Sequence, residues 1–184
     1  MLPQFIRIPF IFVAICWGVW LIETVLHLDL GSAYGILPRT TEGLWGILFS
    51  PFLHGGLWHL IANSLPVGVL MACILLFYER IAVPVMVFIQ IGTGLCVWLA
   101  ARPAYHIGAS GIIYGYAAFL FFSGLFRQEW KALFIAVFVF FGYGGLVWGV
   151  LPSNPSISWE SHLLGALTGA VGAYMFRNAG KKIS

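Results

Sequence analysis

The chain has 184 residues, of which 61% are apolar and only 8% charged, with a mean hydropathy of +0.97. An ordinary soluble domain carries about 25% charged residues. The polar surface is too small to cover a globule in water, so a soluble domain, a disordered chain and a secreted disulfide scaffold are all excluded. The net charge of +3 comes from nine basic and six acidic residues scattered along the chain. They form no basic stripe for phosphates, which excludes a nucleic-acid partner. The composition is that of an integral membrane protein, with the lipid bilayer as its surroundings.

A membrane helix needs roughly 20 mainly apolar residues. Runs between charges and turn residues predict six spans, near 8–27, 57–78, 81–101, 110–126, 132–150 and 161–177. The fourth and sixth, at about 17 residues, lie at the lower limit for crossing. The expected fold class is all-α, a single six-span membrane domain over residues 1–184.

The first run follows Arg7 and has the look of a cleavable signal. However, Gly31-Ser32-Ala33 is a poor cleavage site, and Glu23 and His27 spoil the end of the apolar core, so it is kept as the first helix. Between the first two spans, Asp29, Arg39 and Glu42 interrupt the hydropathy, and Gly31, Gly35 and Pro38 break the periodicity. Within this loop Leu44, Trp45, Leu48, Phe49 and Phe52 recur at three- and four-residue steps, predicting an amphipathic helix in the membrane interface. Cys16, Cys73 and Cys96 sit inside apolar runs with no C-x-x-C pair and read as small hydrophobes, with no metal implied. The absence of an internal repeat gives no support to a transporter built from inverted halves.

Basic residues mark the cytoplasmic side. Arg7, Arg80, Arg127, Lys131, Arg177, Lys181 and Lys182 fall on one side, and only Arg39 and Arg102 on the other. Both termini are therefore expected in the cytoplasm. Trp45, Trp58, Trp98, Trp148 and Trp159 then fall near the outer interface and Trp130 near the inner one, as an aromatic belt requires.

In this orientation the second, fourth and sixth spans begin at the outer face, and their first turns carry the unusual residues. These are His54, His59 and Asn63, then Gly108-Ala109-Ser110-Gly111, then Ser161-His162. Polar groups at membrane depth are costly unless they pair or face a wet cavity. His59 and Asn63 share one helix face, as do Ser110 and Tyr114. Gly111 with Gly115, and Gly165 with Gly169, form small-x-x-x-small surfaces that permit close helix approach. If those surfaces meet, Ser110 and His162 come within reach as a nucleophile and its base. His59 and Asn63 could then donate hydrogen bonds to a developing oxyanion.

Each residue also has a plainer reading. Ser110 could be a helix N-cap, His162 an interfacial imidazole on a carbonyl, and Asn63 a joint between helices. His54 and His59 are weak as metal ligands, because a five-residue separation puts them on different helix faces and no acidic or cysteine partner joins them. Glu160 lies two residues before His162, so on a helix it points away from it, and it reads as an interfacial carboxylate at a helix start. The coincidence of a serine, imidazoles and an amide at one depth favours the catalytic reading.

The set His54-x4-His59-x3-Asn63, the motif Gly108-Ala109-Ser110-Gly111 with Tyr114, and His162-x2-Gly165-x3-Gly169 together resemble the rhomboid family of intramembrane serine proteases. The resemblance implies that Ser110 is the nucleophile and His162 the general base of a dyad that needs neither carboxylate nor cofactor. It implies that His59, Asn63 and the Ser110 backbone N–H hold the oxyanion. Tyr114 would pack on the His162 ring, and His54 would organise the first loop. The implied substrates are single-span membrane proteins, cut near the outer end of their helix at a small residue close to helix-weakening Gly, Pro or polar residues. The turn-rich loop 151–160 is expected to cap the cavity. No seventh span is visible, so the chain resembles the basic six-helix form common in prokaryotes, in the cytoplasmic membrane. Two departures stand out: Trp45 is followed by Gly46 where many members carry Trp-Arg, and Glu79-Arg80 is displaced by about a turn from the family's acidic-basic pair. A catalytically inactive client-binding relative would be expected to lack Ser110 or His162. A small transporter or channel would need mid-span carboxylates, whereas Glu23 lies near a helix end.

Overall fold

A computed structural model describes residues 2–128 and 157–179, and between them residues 130, 131, 133, 134, 137, 138 and 149–151. The described secondary structure is helical apart from one isolated antiparallel β-bridge between Ile36 and His106. The helices are α1 (Gln4–Leu26), α2 (Leu30–Tyr34), α3 (Gly46–Phe49), α4 (Leu57–Phe77), α5 (Ala82–Ala100), α6 (Ser110–Arg127) and α7 (Trp159–Met175). Most of the expected fifth span, 132–150, and residues 152–156 of the loop 151–160 lie outside the described residues.

Three of these helices, α1, α4 and α5, are long and apolar enough to cross a membrane by length and composition. Helix α1 buries only Pro9 and Cys16 and turns Phe10, Ile15, Leu21, Ile22 and Val25 outward. So large an apolar surface suits lipid and not water. Helix α6 is apolar all round and occupies the centre, where Ile112, Ile113, Tyr116, Phe119 and Leu120 are buried.

The contact between α6 and α7 is made backbone to backbone. A Cβ placed on Gly165 would run into the Gly111 carbonyl oxygen, and one on Gly169 into the Gly115 carbonyl oxygen. The two small-residue faces meet without side chains between them, which sets α6 and α7 at a fixed height relative to each other.

The expected amphipathic helix of the first loop forms as three short pieces and not as one. These are a 3-10 turn at Glu42–Leu44, helix α3, and a second 3-10 turn at Ser50–Phe52. Pro51 has no N–H to continue the α-helical ladder, which ends the run. Leu44, Trp45, Leu48 and Phe49 are exposed, while Gly46, Ile47, Ser50 and Pro51 are buried. Gly46 presses on the backbone of Gly35 and Ile36, where any Cβ would collide. That contact accounts for glycine after Trp45, since no arginine fits there. Arg39 sits in the left-handed region (φ 62°), and its Nη1 donates to the carbonyls of Leu99 and Ala101 at 3.1 and 2.9 Å. Trp98 Nε1 donates to Thr40 O at 2.8 Å, and Gln90 Nε2 to Ile47 O at 2.8 Å. The first loop is thereby fastened along α5.

Candidate active site

Ser110 is the first residue of α6, and Ala109 holds the N-cap position with no side-chain capping bond. The N-cap reading of Ser110 therefore fails, and its hydroxyl is used elsewhere. Gly108 precedes it with φ 103°, a region that side chains rarely adopt. A Cβ there would also lie 2.7 Å from Nε2 and Cε1 of His59. Glycine at 108 thus brings the backbone against the His59 ring.

His162 lies in the first turn of α7 and is buried. Its Nε2 is 2.8 Å from Ser110 Oγ, and its Nδ1 is 2.8 Å from the Gly149 carbonyl oxygen. A carbonyl only accepts, so Nδ1 carries the proton and the Nε2 lone pair receives the Ser110 hydroxyl. This is the tautomer that a general base requires. The Tyr114 ring stacks on the imidazole, with centroids 4.3 Å apart and planes 9° from parallel. The ring is therefore fixed by a carbonyl on one nitrogen and by an aromatic face along its plane.

Asn63 is buried on α4 and donates through Nδ2 to the His59 carbonyl at 2.7 Å. One amide hydrogen is used in this bond, which fixes the direction of the other. His59, Asn63, Ser110, Tyr114 and His162 line one cleft of about 690 Å³. Arg102, Tyr105, His106 and Ile157 line it as well. The cleft has room for a peptide segment together with water.

His54 does not line this cleft. It precedes α4, and the chain turns at Gly55-Gly56, so the imidazoles of His54 and His59 come together with centroids 5.1 Å apart. The expectation that spacing would place them on different helix faces is thus corrected, because His54 is not on the helix. Its Nδ1 donates to Phe52 O at 3.3 Å, and Nε2 has no partner among the described residues. Burial, reinforced by the neighbouring His59, pushes the His54 pKa down to about 4.

Glu160 stands in the first turn of α7, as expected of a carboxylate at a helix start; it is buried, with Oε1 3.5 Å from Arg102 Nε. It points toward the 101–109 loop and away from the His162 nitrogens, which are both occupied. Sequence reasoning also missed His106, which is 2% exposed, and the Gly149 carbonyl that orients His162. His106 stood four residues before Ser110 and could have been found as one more imidazole at the same depth. A backbone carbonyl has no residue signature and could not.

The Rhomboid domain family model matches residues 41–179, and the chain belongs to the rhomboid family. It is 39% identical over 173 residues to the uncharacterized protein Rv1337 of Mycobacterium tuberculosis, covering 89% of this chain and 72% of that protein. It is 38% identical over 174 residues to the uncharacterized protein ML1171 of Mycobacterium leprae, covering 89% and 68%.

Proposed function

We propose that this chain is an intramembrane serine endopeptidase that cuts single-span membrane proteins near the outer end of their helix. The observation that carries the reading is the 2.8 Å contact between Ser110 Oγ and His162 Nε2, with the opposite nitrogen bonded to a carbonyl. A half-buried serine bonded to a buried histidine in this tautomer, in a cleft of an apolar helical protein, has a catalytic use that a structural hydrogen bond does not require.

In this reading Ser110 Oγ attacks the scissile carbonyl carbon while His162 Nε2 takes its proton. The tetrahedral oxyanion is held by His59, Asn63 and the Ser110 backbone N–H. Collapse breaks the C–N bond, and His162 returns the proton to the leaving amine. Water then attacks the acyl-serine ester, giving its proton to His162, and Ser110 is released. A positioned general base contributes about 10²–10⁴-fold, and each oxyanion donor about 10²–10³-fold. The Gly149 carbonyl dipole serves where other serine hydrolases place a carboxylate: it keeps Nδ1–H in place and partly offsets the imidazolium charge.

The substrate must enter in an extended form, because helical carbonyls are already bonded and shielded. Small residues and helix-weakening neighbours at the cut site follow from that requirement. We take the domain to be a single one of six spans, with α6, α7 and the run 132–150 completing the set. Both termini face the cytoplasm and the cleft opens outward, most simply in a prokaryotic cytoplasmic membrane. The exposed Trp45 and Leu48 of the first loop suit the interface. The test is co-expression with a panel of single-span test substrates. Wild type should release a fragment cut near the outer helix end, and Ser110→Ala and His162→Ala should release none. Clients that bind the wild type and are never cut would favour the inactive client-binding reading.

A further inference from the structure

We propose that His106 and Ser158, with the Arg102–Glu160 ion pair beside them, form a clasp that positions the Ser110–His162 dyad. The inference rests on the protease reading above and adds residues outside the reacting set. His106 Nδ1 lies 2.5 Å from Ser158 Oγ, which in turn lies 2.5 Å from Ser161 Oγ. His106 Nε2 is 3.1 Å from the Arg102 carbonyl, an obligatory acceptor, so Nε2 carries the proton and Nδ1 accepts from the Ser158 hydroxyl. Arg102 Nη2 donates to the Ile157 carbonyl at 2.7 Å, and its Nε faces Glu160 at 3.5 Å. Every one of these bonds joins the loop before α6 to the start of α7, or braces a residue that does.

The register gives the clasp its use. His106 stands four residues before Ser110, and Ser158 four residues before His162, whose N–H donates to the Ser158 carbonyl at 3.3 Å. The His106 backbone N–H and carbonyl also exchange hydrogen bonds with Ile36 at 2.9 and 3.0 Å, which anchors it to the first loop. The two reacting side chains thus sit between fasteners. On one side the Gly111–Gly165 and Gly115–Gly169 contacts fix the helices, and on the other the clasp fixes their first turns. Opening the clasp leaves the helices packed but frees the ends that carry the hydroxyl and the imidazole. A misplacement of about 1 Å between reacting groups costs on the order of 10²-fold in rate. The side-chain hydrogen bonds of His106 and Ser158 go to Arg102, to Ser161 and to each other, and those of the dyad to Gly149 and within the dyad, so His106 and Ser158 are positioning residues.

The test uses the full chain in proteoliposomes with a single-span substrate, measuring kcat, KM, the rate of fluorophosphonate labelling and Tm. His106→Ala should lower kcat and the labelling rate about tenfold or more, with KM within about twofold. Ser158→Ala should act in the same direction, and the double variant should be no worse than His106→Ala, because one clasp opens once. His106→Asn places an amide oxygen where Nδ1 accepts from Ser158 and should recover most of the labelling rate. If His106→Ala does not fold, Ser158→Ala and His106→Asn decide the matter. Unchanged kcat and labelling in Ser158→Ala, losses that multiply in the double variant, or a change in Tm alone would each overturn the clasp. A wild type with no Ser110-dependent turnover would overturn the protease reading as well, whereas an active wild type with indifferent variants overturns the clasp alone.

Discussion

Gly165→Ala adds a single methyl group where α6 and α7 touch, and its effect on the dyad follows from distances. The new Cβ would stand 2.9 Å from the Gly111 carbonyl carbon, 3.4 Å from its Cα, and nearer still to its oxygen. That carbonyl belongs to the α6 ladder and cannot turn aside, so the helices must part by about 1 Å to restore ordinary contact. Ser110 is the residue before Gly111, and His162 lies one turn before Gly165 on the facing helix. The 2.8 Å hydroxyl–imidazole contact then opens well beyond hydrogen-bond range. Overpacking costs about 1–3 kcal/mol of stability, while the lost alignment should cost about 10²-fold in kcat. The assay is kcat and KM on a single-span substrate in proteoliposomes, with Tm measured on the same preparations. Gly68→Ala is the control, because its nearest neighbour would be Val13 Cγ2 at 3.9 Å; it should leave both quantities unchanged. Gly165→Ala with full kcat would refute the view that this helix contact sets the dyad distance.

Other outcomes follow from the same geometry. Tyr114→Phe keeps the ring on His162 and should hold activity within about fivefold, whereas Tyr114→Ala removes a stacking contact of about 0.5–1.5 kcal/mol and should lose up to about tenfold in kcat. Asn63→Ala should lower kcat about 10²–10³-fold with KM little changed, as steady-state kinetics would show. His54 titrates near 4 when folded against an ordinary 6.5, so the unfolded chain binds the extra proton between those values. Stability should therefore fall as pH drops from about 6.5 toward about 4, by roughly 3 kcal/mol at most. His106, also lowered chiefly by burial, adds to the slope. Thermal scans across this range should show a shallower slope for His54→Asn, and an unchanged slope would contradict the assignment.

The helices were legible because charges and turn residues bound the apolar runs: α4 at Leu57–Phe77 and α5 at Ala82–Ala100 differ from the expected spans by a residue or so at each end. The pairing of Ser110 with His162 was legible for a different reason. Two glycines spaced four apart on each helix permit a close backbone contact, which the structure makes, and the polar residues stood at matching heights. Three features were not legible. The position of His54 depends on a turn at Gly55-Gly56, and helix periodicity carried back beyond the start of α4 at Leu57 concealed it. The breaks around α3 depend on Pro51 and on Gly46 meeting the backbone of Gly35 and Ile36, a tertiary contact with no local pattern. The Arg102–Glu160 pair joins residues far apart in sequence, and nothing in either segment announces its partner.

The claim underneath all of this is that His162 activates Ser110, and the labelling rate of the serine itself measures it most directly. Wild-type chain in proteoliposomes should react with a fluorophosphonate at Ser110, located by mass spectrometry of the labelled peptide. His162→Ala should slow that reaction by about 10² or more, and Ser110→Ala should abolish it. Equal labelling of Ser110 with and without His162 would contradict the account, as would a wild-type Ser110 that never reacts.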